Sequence, residues 1–186
     1  MKFLPVAACV LIPSALMAQT SNSSADANAK FAKLSEEFIH ETLALSPSNA
    51  SQAGYHQHVD PKTAKTIALD ALLDDVSAAG MAEQRRVYAQ WRERFRSETP
   101  LASLGVEDGA DWQLIDDQIA LSLLEFDGIQ DYKHNPTVYV ELLGGALFQP
   151  LTDDFAPEDV RLGDILSRIA ASPRFLDQAR GQLLDA

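Results

Sequence analysis

Apolar residues recur at helical spacing along almost the whole chain. Phe31, Leu34, Phe38 and Leu45 stand three, four and seven apart, which places them on one face of a helix from about Asp26 to Leu45. Ser46-Pro47 stops it, because a proline ring disfavours helix at the residue before it. Ser48 then suits the cap of a short helix through "NASQAGYHQH", and Asp60-Pro61 marks a turn. A long helix is predicted from about Ser77 to Ser97, with Met81, Tyr88, Trp91 and Phe95 as its apolar stripe and Arg85, Arg86, Arg92, Arg94 and Arg96 on its flanks. "SETPLASLGVEDG" reads as a loop. Trp112, Ile115, Ile119, Leu123 and Phe126 then share one face of a helix from about Asp108 to Phe126, ending or bending at Asp127-Gly128.

Asn135-Pro136 opens a further helix to about Phe148, with Asn as cap and Pro in the first turn, where a missing N–H costs nothing. Pro157 and Pro173, behind Ala156 and Ser172, repeat the device. The last helix carries Phe175, Leu176, Ala179, Leu183 and Leu184 on its apolar side and reaches Ala186 without a glycine cap, which reads as a cut. The nearest thing to a strand is "TVYVEL", and its Asn-Pro start favours helix. The expected fold is all-α, a multi-helix array forming the N-terminal part of a larger helical domain.

Composition narrows this picture. The 186 residues are 46% hydrophobic and 23% charged, which suits a globular core. A formal charge of −12 argues against nucleic acid or an anionic membrane surface as partner. Residues 1–18 combine Lys2 with a largely apolar run broken by Pro5 and Pro13, too short to span a bilayer and ending at Ala18. They read as a secretory signal peptide, so the protein is expected in the periplasm or outside the cell, with no transmembrane helix after cleavage. Residues 19–28 read as a flexible leader and 29–186 as the helical domain. Cys9, the single cysteine, falls inside the signal, which removes disulfides and thiolate metal sites from the mature chain.

Candidate chemistry is sparse. His40-Glu41 imitates half of a zincin motif, but Ala44 stands where a second His is required, so the pair reads as polar helix surface. His56, His58 and Asp60 alternate, and would share one face only if extended; a helix or turn, the reading preferred here, separates them. The arginines of the Ser77–Ser97 helix suit a substrate carboxylate, yet acidic neighbours such as Asp116 and Asp117 are the commoner partners. "DYKHNPTVYVEL" gathers Tyr132, Lys133, His134, Asn135 and Tyr139 at a helix start, where free N–H groups favour an anion. It reads either as a site wall or as a packed, capped turn, with the turn favoured. No phosphate loop, nucleophile elbow or dinucleotide fingerprint is present.

In order, "LSPSNASQAGYHQHVD", "DDQIALSLLEFDGIQDYKHNPTVYVELLGGALFQPL" and "RLGDILSRIAASPRFLDQAR" resemble the N-terminal portion of an exported bacterial family, domain of unknown function 885. Complete members of that family are about three times longer and largely helical, with a correspondingly larger core. The resemblance implies a metallopeptidase-like, zinc-dependent hydrolase whose His-Glu pair is followed, after a Pro-Gly insertion, by another His. "HETLALS" does not match that motif, so no catalytic or metal residue is expected here. Zinc is implied for complete relatives, not for this chain. The implied role is a scaffold whose partner is the rest of its own polypeptide, with substrate-side contacts, to a peptide in the full-length protein, expected from Tyr132, His134, Asn135 and Tyr139. The rival expectation is a self-contained exported helical binding module without catalysis.

Overall fold

The computed structural model describes residues 15–61 and 63–184, with side chains from residue 24 onward. The signal-peptide reading for residues 1–14 lies outside them. Helix α1 runs Ala15–Ala44 and takes in the polar run read as a leader, α2 spans Pro47–Gln52, and strands β1 (Gln57–Val59) and β2 (Thr66–Ala68) follow. Helices α3 (Ala78–Glu98), α4 (Val106–Leu124), α5 (Asp131–His134), α6 (Thr137–Thr152) and α7 (Glu158–Leu184) complete the chain. The fold is therefore all-α apart from one small antiparallel hairpin, in which His58 faces Ile67.

Two apolar clusters hold these elements. In the first, Phe31, Leu34 and Phe38 of α1 pack on Val87, Trp91 and Phe95 of α3 and Ile119 of α4. Phe38 lies edge-on to Trp91 and Phe95, with ring centres 5.8 and 5.6 Å apart, a geometry aromatic quadrupoles favour. The second joins Val76, Tyr139 of α6, and Phe175 and Ala179 of α7. Ser77 caps α3 by accepting from Gly80 N at 3.1 Å. Gly80 itself is required, since a Cβ there would lie 2.2 Å from the Asp75 carbonyl oxygen.

Several expected boundaries move. The segment after α2 is extended, not helical, so "GYHQH" leaves the helix at Gln52. After α4 comes a five-residue π turn, Glu125–Ile129, which contains the expected Asp127-Gly128 bend. It closes at Gln130, whose φ of 56° is left-handed and unusual outside glycine. Helix α6 continues past Phe148 to Thr152 with Pro150 inside it. Proline cannot donate to the carbonyl four residues back. Here Arg168 of α7 donates instead, Nη1 to Ala146 O at 2.7 Å. The helix expected to begin at Pro173 is the second half of α7, which passes through that proline unbroken. Ser172 does not cap; its hydroxyl donates to Arg168 O.

Candidate functional site

The stretch with the densest polar chemistry in the sequence borders a hollow of about 370 Å³ between α2, α3, the π turn and α6. Tyr132 and Tyr139 both line it, whereas His134 and Asn135 do not. Tyr139 is buried and its hydroxyl donates to Tyr132 O, fixing α5 against α6. Burial, then the neighbouring Tyr132, pushes the Tyr139 phenol up to about 12. Asn135 Oδ1 accepts from Thr137 N at 3.0 Å and its Nδ2 donates to Asp131 at 3.2 Å, so it serves as the cap of α6. His134 is exposed at the end of α5.

Charge in this hollow runs opposite to the anion preference read from the α6 start. Its lining holds Asp74, Glu125 and Asp131 and no Lys, Arg or His. Glu125 Oε1 accepts from Asp131 N at 2.7 Å, which ties the π turn to α5. Burial, then the charges of Asp127 and Glu125, raise the Tyr132 phenol above its ordinary value. Arg85 and Lys133 line an adjoining hollow that shares Met81, Phe126 and Tyr132 with this one; the Arg85 guanidinium is bound to Asp127 at 2.5 and 2.8 Å, and Lys133 Nζ lies 5.7 Å from the Tyr132 ring centre. Met81, Phe126, Val138 and Leu142 supply the apolar wall. A second hollow, about 410 Å³, shares Asn49 and Leu142 with the first and is lined mainly by amides, hydroxyls and the carboxylates of Glu141 and Asp153.

A buried polar network lies behind these hollows. Arg168 is fully buried and donates to Leu72 O at 2.9 Å, Ala146 O at 2.7 Å, Leu69 O at 3.4 Å and Ser51 Oγ at 2.7 Å. Ser51 in turn donates to Asp70 at 2.6 Å, and both Asp70 oxygens lie 3.0 Å from His56 Nδ1. Burial lowers the Arg168 pKa, opposed by the charges of Asp70, Asp74 and Asp164. Asp74 accepts from Ser46 Oγ and from Ser48 N at 3.3 Å, anchoring the start of α2. Sequence spacing gives no hint of this network, whose partners lie about a hundred positions apart; only the buried-charge rule, that such a group must be paired, makes it intelligible afterwards.

The metal candidates separate. His40 stacks on Tyr55 with rings 4.7 Å apart, and Glu41 accepts from Trp91 Nε1 at 2.8 Å. Neither is idle helix surface: Glu41 braces the first cluster through Trp91, and His40 holds the Tyr55 ring. His56 and His58 do lie on extended backbone, yet His56 turns to Asp70 and stacks on Phe155, while His58 meets the Tyr55 hydroxyl at 3.1 Å. Among the described residues no group of three His, Cys, Asp or Glu could hold a metal, so this donor set does not fit a zinc ion. The arginines of α3 behave as ion-pair partners. Arg92 and Arg96 share Asp116, Arg86 pairs with Glu83, and Arg94 reaches Glu98 and Glu37. Among the described residues, no helix is long and apolar enough to cross a membrane.

These features define a helical array in which the α3 arginines are paired with acidic neighbours and an acidic, apolar cleft lies beside a second, more polar hollow. The chain belongs to the bacterial family of unknown function DUF885, whose sequence profile matches residues 47–186. A solved structure with the same fold, described as "a putative lipoprotein of unknown function" from Shewanella oneidensis, is 26% identical with a TM-score of 0.69. The match covers 82% of this chain but only 26% of that one, so the chain spans about a quarter of its relative's length. No curated protein matches it.

Proposed function

We propose that this chain is the N-terminal helical scaffold of a larger exported, metallopeptidase-like hydrolase, that it carries neither the metal nor the catalytic groups, and that it walls one side of the cleft. The observation that carries this reading is the open face of α7. Leu162, Leu166, Ile169, Pro173 and Leu176 recur at four, three, four and three residues, the 3.5-residue period of a helix–helix seam. Leu166, Ile169 and Leu176 are 66%, 51% and 52% exposed, while Ile165, Arg168, Phe175 and Ala179 on the other side are buried. A helix apolar on both sides belongs inside a larger helical body. Helices of the remaining polypeptide are the fitting cover, given the length of the relative. Of Phe175, Leu176 and Leu183, the side chains that a scaffold of this kind is expected to leave open, Leu176 lies on that face at 52% exposed, whereas Phe175 and Leu183 pack in the second cluster. Periplasmic or secreted placement follows from the signal-like N-terminus and agrees with a relative described as a lipoprotein. The zinc chemistry is assigned to the part of the longer relatives that this chain does not span. Tyr132 and Tyr139 border the substrate side, with His134 and Asn135 flanking it.

The test has two arms. The isolated chain should bind a hydrophobic dye and self-associate in sedimentation, and Leu166→Glu with Ile169→Glu should abolish both without loss of helicity. The coding sequence read past Ala186 should continue in frame to a His-Glu…Pro-Gly-His segment. A dye-silent, monomeric wild-type chain followed by a stop codon would replace this reading with the self-contained binding module.

A further inference from the structure

We infer that the cleft at Tyr132 binds an extended peptide segment through a basic side chain, arginine above all. The inference builds on taking this hollow as the ligand side of the assembled protein, but it concerns binding by this chain alone and needs no turnover.

Three observations converge. The first is shape: at about 370 Å³ the hollow is within the range of ligand pockets and larger than one side chain requires. The second is its division into an apolar wall and an acidic rim. Met81, Val138 and Leu142 offer a surface for a methylene stem, and Glu125 and Asp131 lie on the same lining. A long cationic side chain has that same division, with an apolar stem and a charged head. A guanidinium adds a planar fork that matches carboxylates and stacks on aromatic rings such as Phe126. Neither carboxylate has a basic partner among the described residues. Glu125 accepts from the Asp131 backbone and Asp131 from Asn135, both neutral donors. Asp74, the third acid of the lining, faces the buried Arg168 charge and adds little. Arg85, across the shared Phe126 wall, is matched by Asp127, and Lys133 over the Tyr132 ring is a single positive charge against the two carboxylates, so the rim stays net negative and favours a cationic occupant over an anion.

The third observation selects a peptide over a simple amine. The adjoining hollow, which shares Asn49 and Leu142, is walled by amide side chains, with Gln52 among them, that can both donate to and accept from a backbone. Ser48 lines it too. A basic side chain in one hollow with its own backbone along the next uses both.

The probes are three amidated tetrapeptides, acetyl-Ala-Arg-Ala-Leu and its counterparts with norleucine or glutamate in place of arginine, titrated into the whole chain by calorimetry. The arginine peptide should bind at least about tenfold more tightly than the norleucine peptide, the size expected from two partly exposed charge pairs. The glutamate peptide should not bind. Glu125→Gln with Asp131→Asn, isosteric changes that keep both internal hydrogen bonds, should remove that tenfold preference and leave norleucine binding unchanged. Amide shifts on titration should centre on Val138 and Leu142. Equal affinity for arginine and norleucine, an unaffected double variant, shifts centred elsewhere, or no saturable binding at millimolar peptide would each overturn the inference. None of those results bears on the open face of α7, so the scaffold reading stands or falls separately.

Discussion

Replacing Arg168 with methionine should be among the most damaging single changes available in this chain. Methionine keeps an unbranched apolar stem of similar reach, so the loss is chiefly of charge and donors. The carbonyls of Leu72 and Ala146 and Ser51 Oγ lose the bonds Arg168 donates to them, while the Leu69 carbonyl keeps Leu72 N as a donor at 2.9 Å. The Ala146 carbonyl is the most exposed to harm, because Pro150 has no N–H to replace the lost bond. Breaking a buried charge network costs about 3–5 kcal/mol, and each orphaned buried acceptor about 1–3 kcal/mol before water and relaxation recover part of it. A net loss of roughly 4 kcal/mol is expected, a large share of the 5–15 kcal/mol typical of a whole domain. Urea denaturation followed by far-ultraviolet circular dichroism should show the midpoint falling by about 2 M. A pH comparison separates charge from packing. Burial, then the Asp70 charge, raises the Asp164 pKa, and Arg168 opposes the rise. Removing Arg168 raises it further, and a carboxyl with a raised folded pKa regains stability as pH falls through that value. The gap between wild type and variant should therefore be smaller at pH 5 than at pH 7.5. A loss below about 1 kcal/mol, or one independent of pH, would refute the account of Arg168 as the charge that balances Asp70, Asp74 and Asp164.

Tyr139→Phe should cost about 1 kcal/mol at neutral pH by removing the bond to Tyr132 O. Tyrosine in an unfolded chain titrates near 10, whereas Tyr139 is pushed up to about 12, so its contribution is complete below about pH 10 and lost on the way to 12. Urea midpoints at pH 8 and 11 should fall further for wild type than for the variant. Asp116→Asn should cost about 1 kcal/mol at pH 7. Hydrogen bonds first from Arg92 and then from Arg96 hold the Asp116 carboxyl below its usual range, so that stability is present above the unfolded pKa and lost as pH falls through the folded one. Thermal melts should accordingly converge below about pH 3. Pro173→Ala should stabilise the chain by about 1–3 kcal/mol, since an exposed proline inside α7 denies the Ile169 carbonyl its helical donor; a lowered urea midpoint would contradict this.

Helix identity was legible wherever an apolar stripe had a single partner face. Trp91, Phe95 and Ile119 are buried as their spacing predicts, although Val87, one turn before Trp91, also belongs to the stripe. Prolines divided the reading. Pro157 precedes a helix as expected, but Pro150 and Pro173 sit inside helices, and a local rule cannot see that a distant arginine satisfies the carbonyl of Ala146. The hairpin escaped notice because Gln57–Val59 and Thr66–Ala68 are only three residues each, too short for alternation to stand out. In the candidate site, the sequence located the polar concentration at Tyr132–Tyr139 but misjudged its charge. Two of the three carboxylates on the lining come from other segments, Asp74 before α3 and Glu125 at the opening of the π turn; the third, Asp131, heads the stretch itself.

The family match begins at residue 47, two residues beyond Leu45, yet α1 supplies Phe31, Leu34 and Phe38 to the first cluster. Evolutionary and mechanical boundaries therefore fall in different places. A polypeptide started where the similarity starts would bare the flank of α3, strip Trp91 of its Glu41 acceptor and leave α4 resting on half a core. The unit that inherits the family's pattern is smaller than the unit that can stand up, and anyone trimming this protein should cut upstream of α1's aromatic residues.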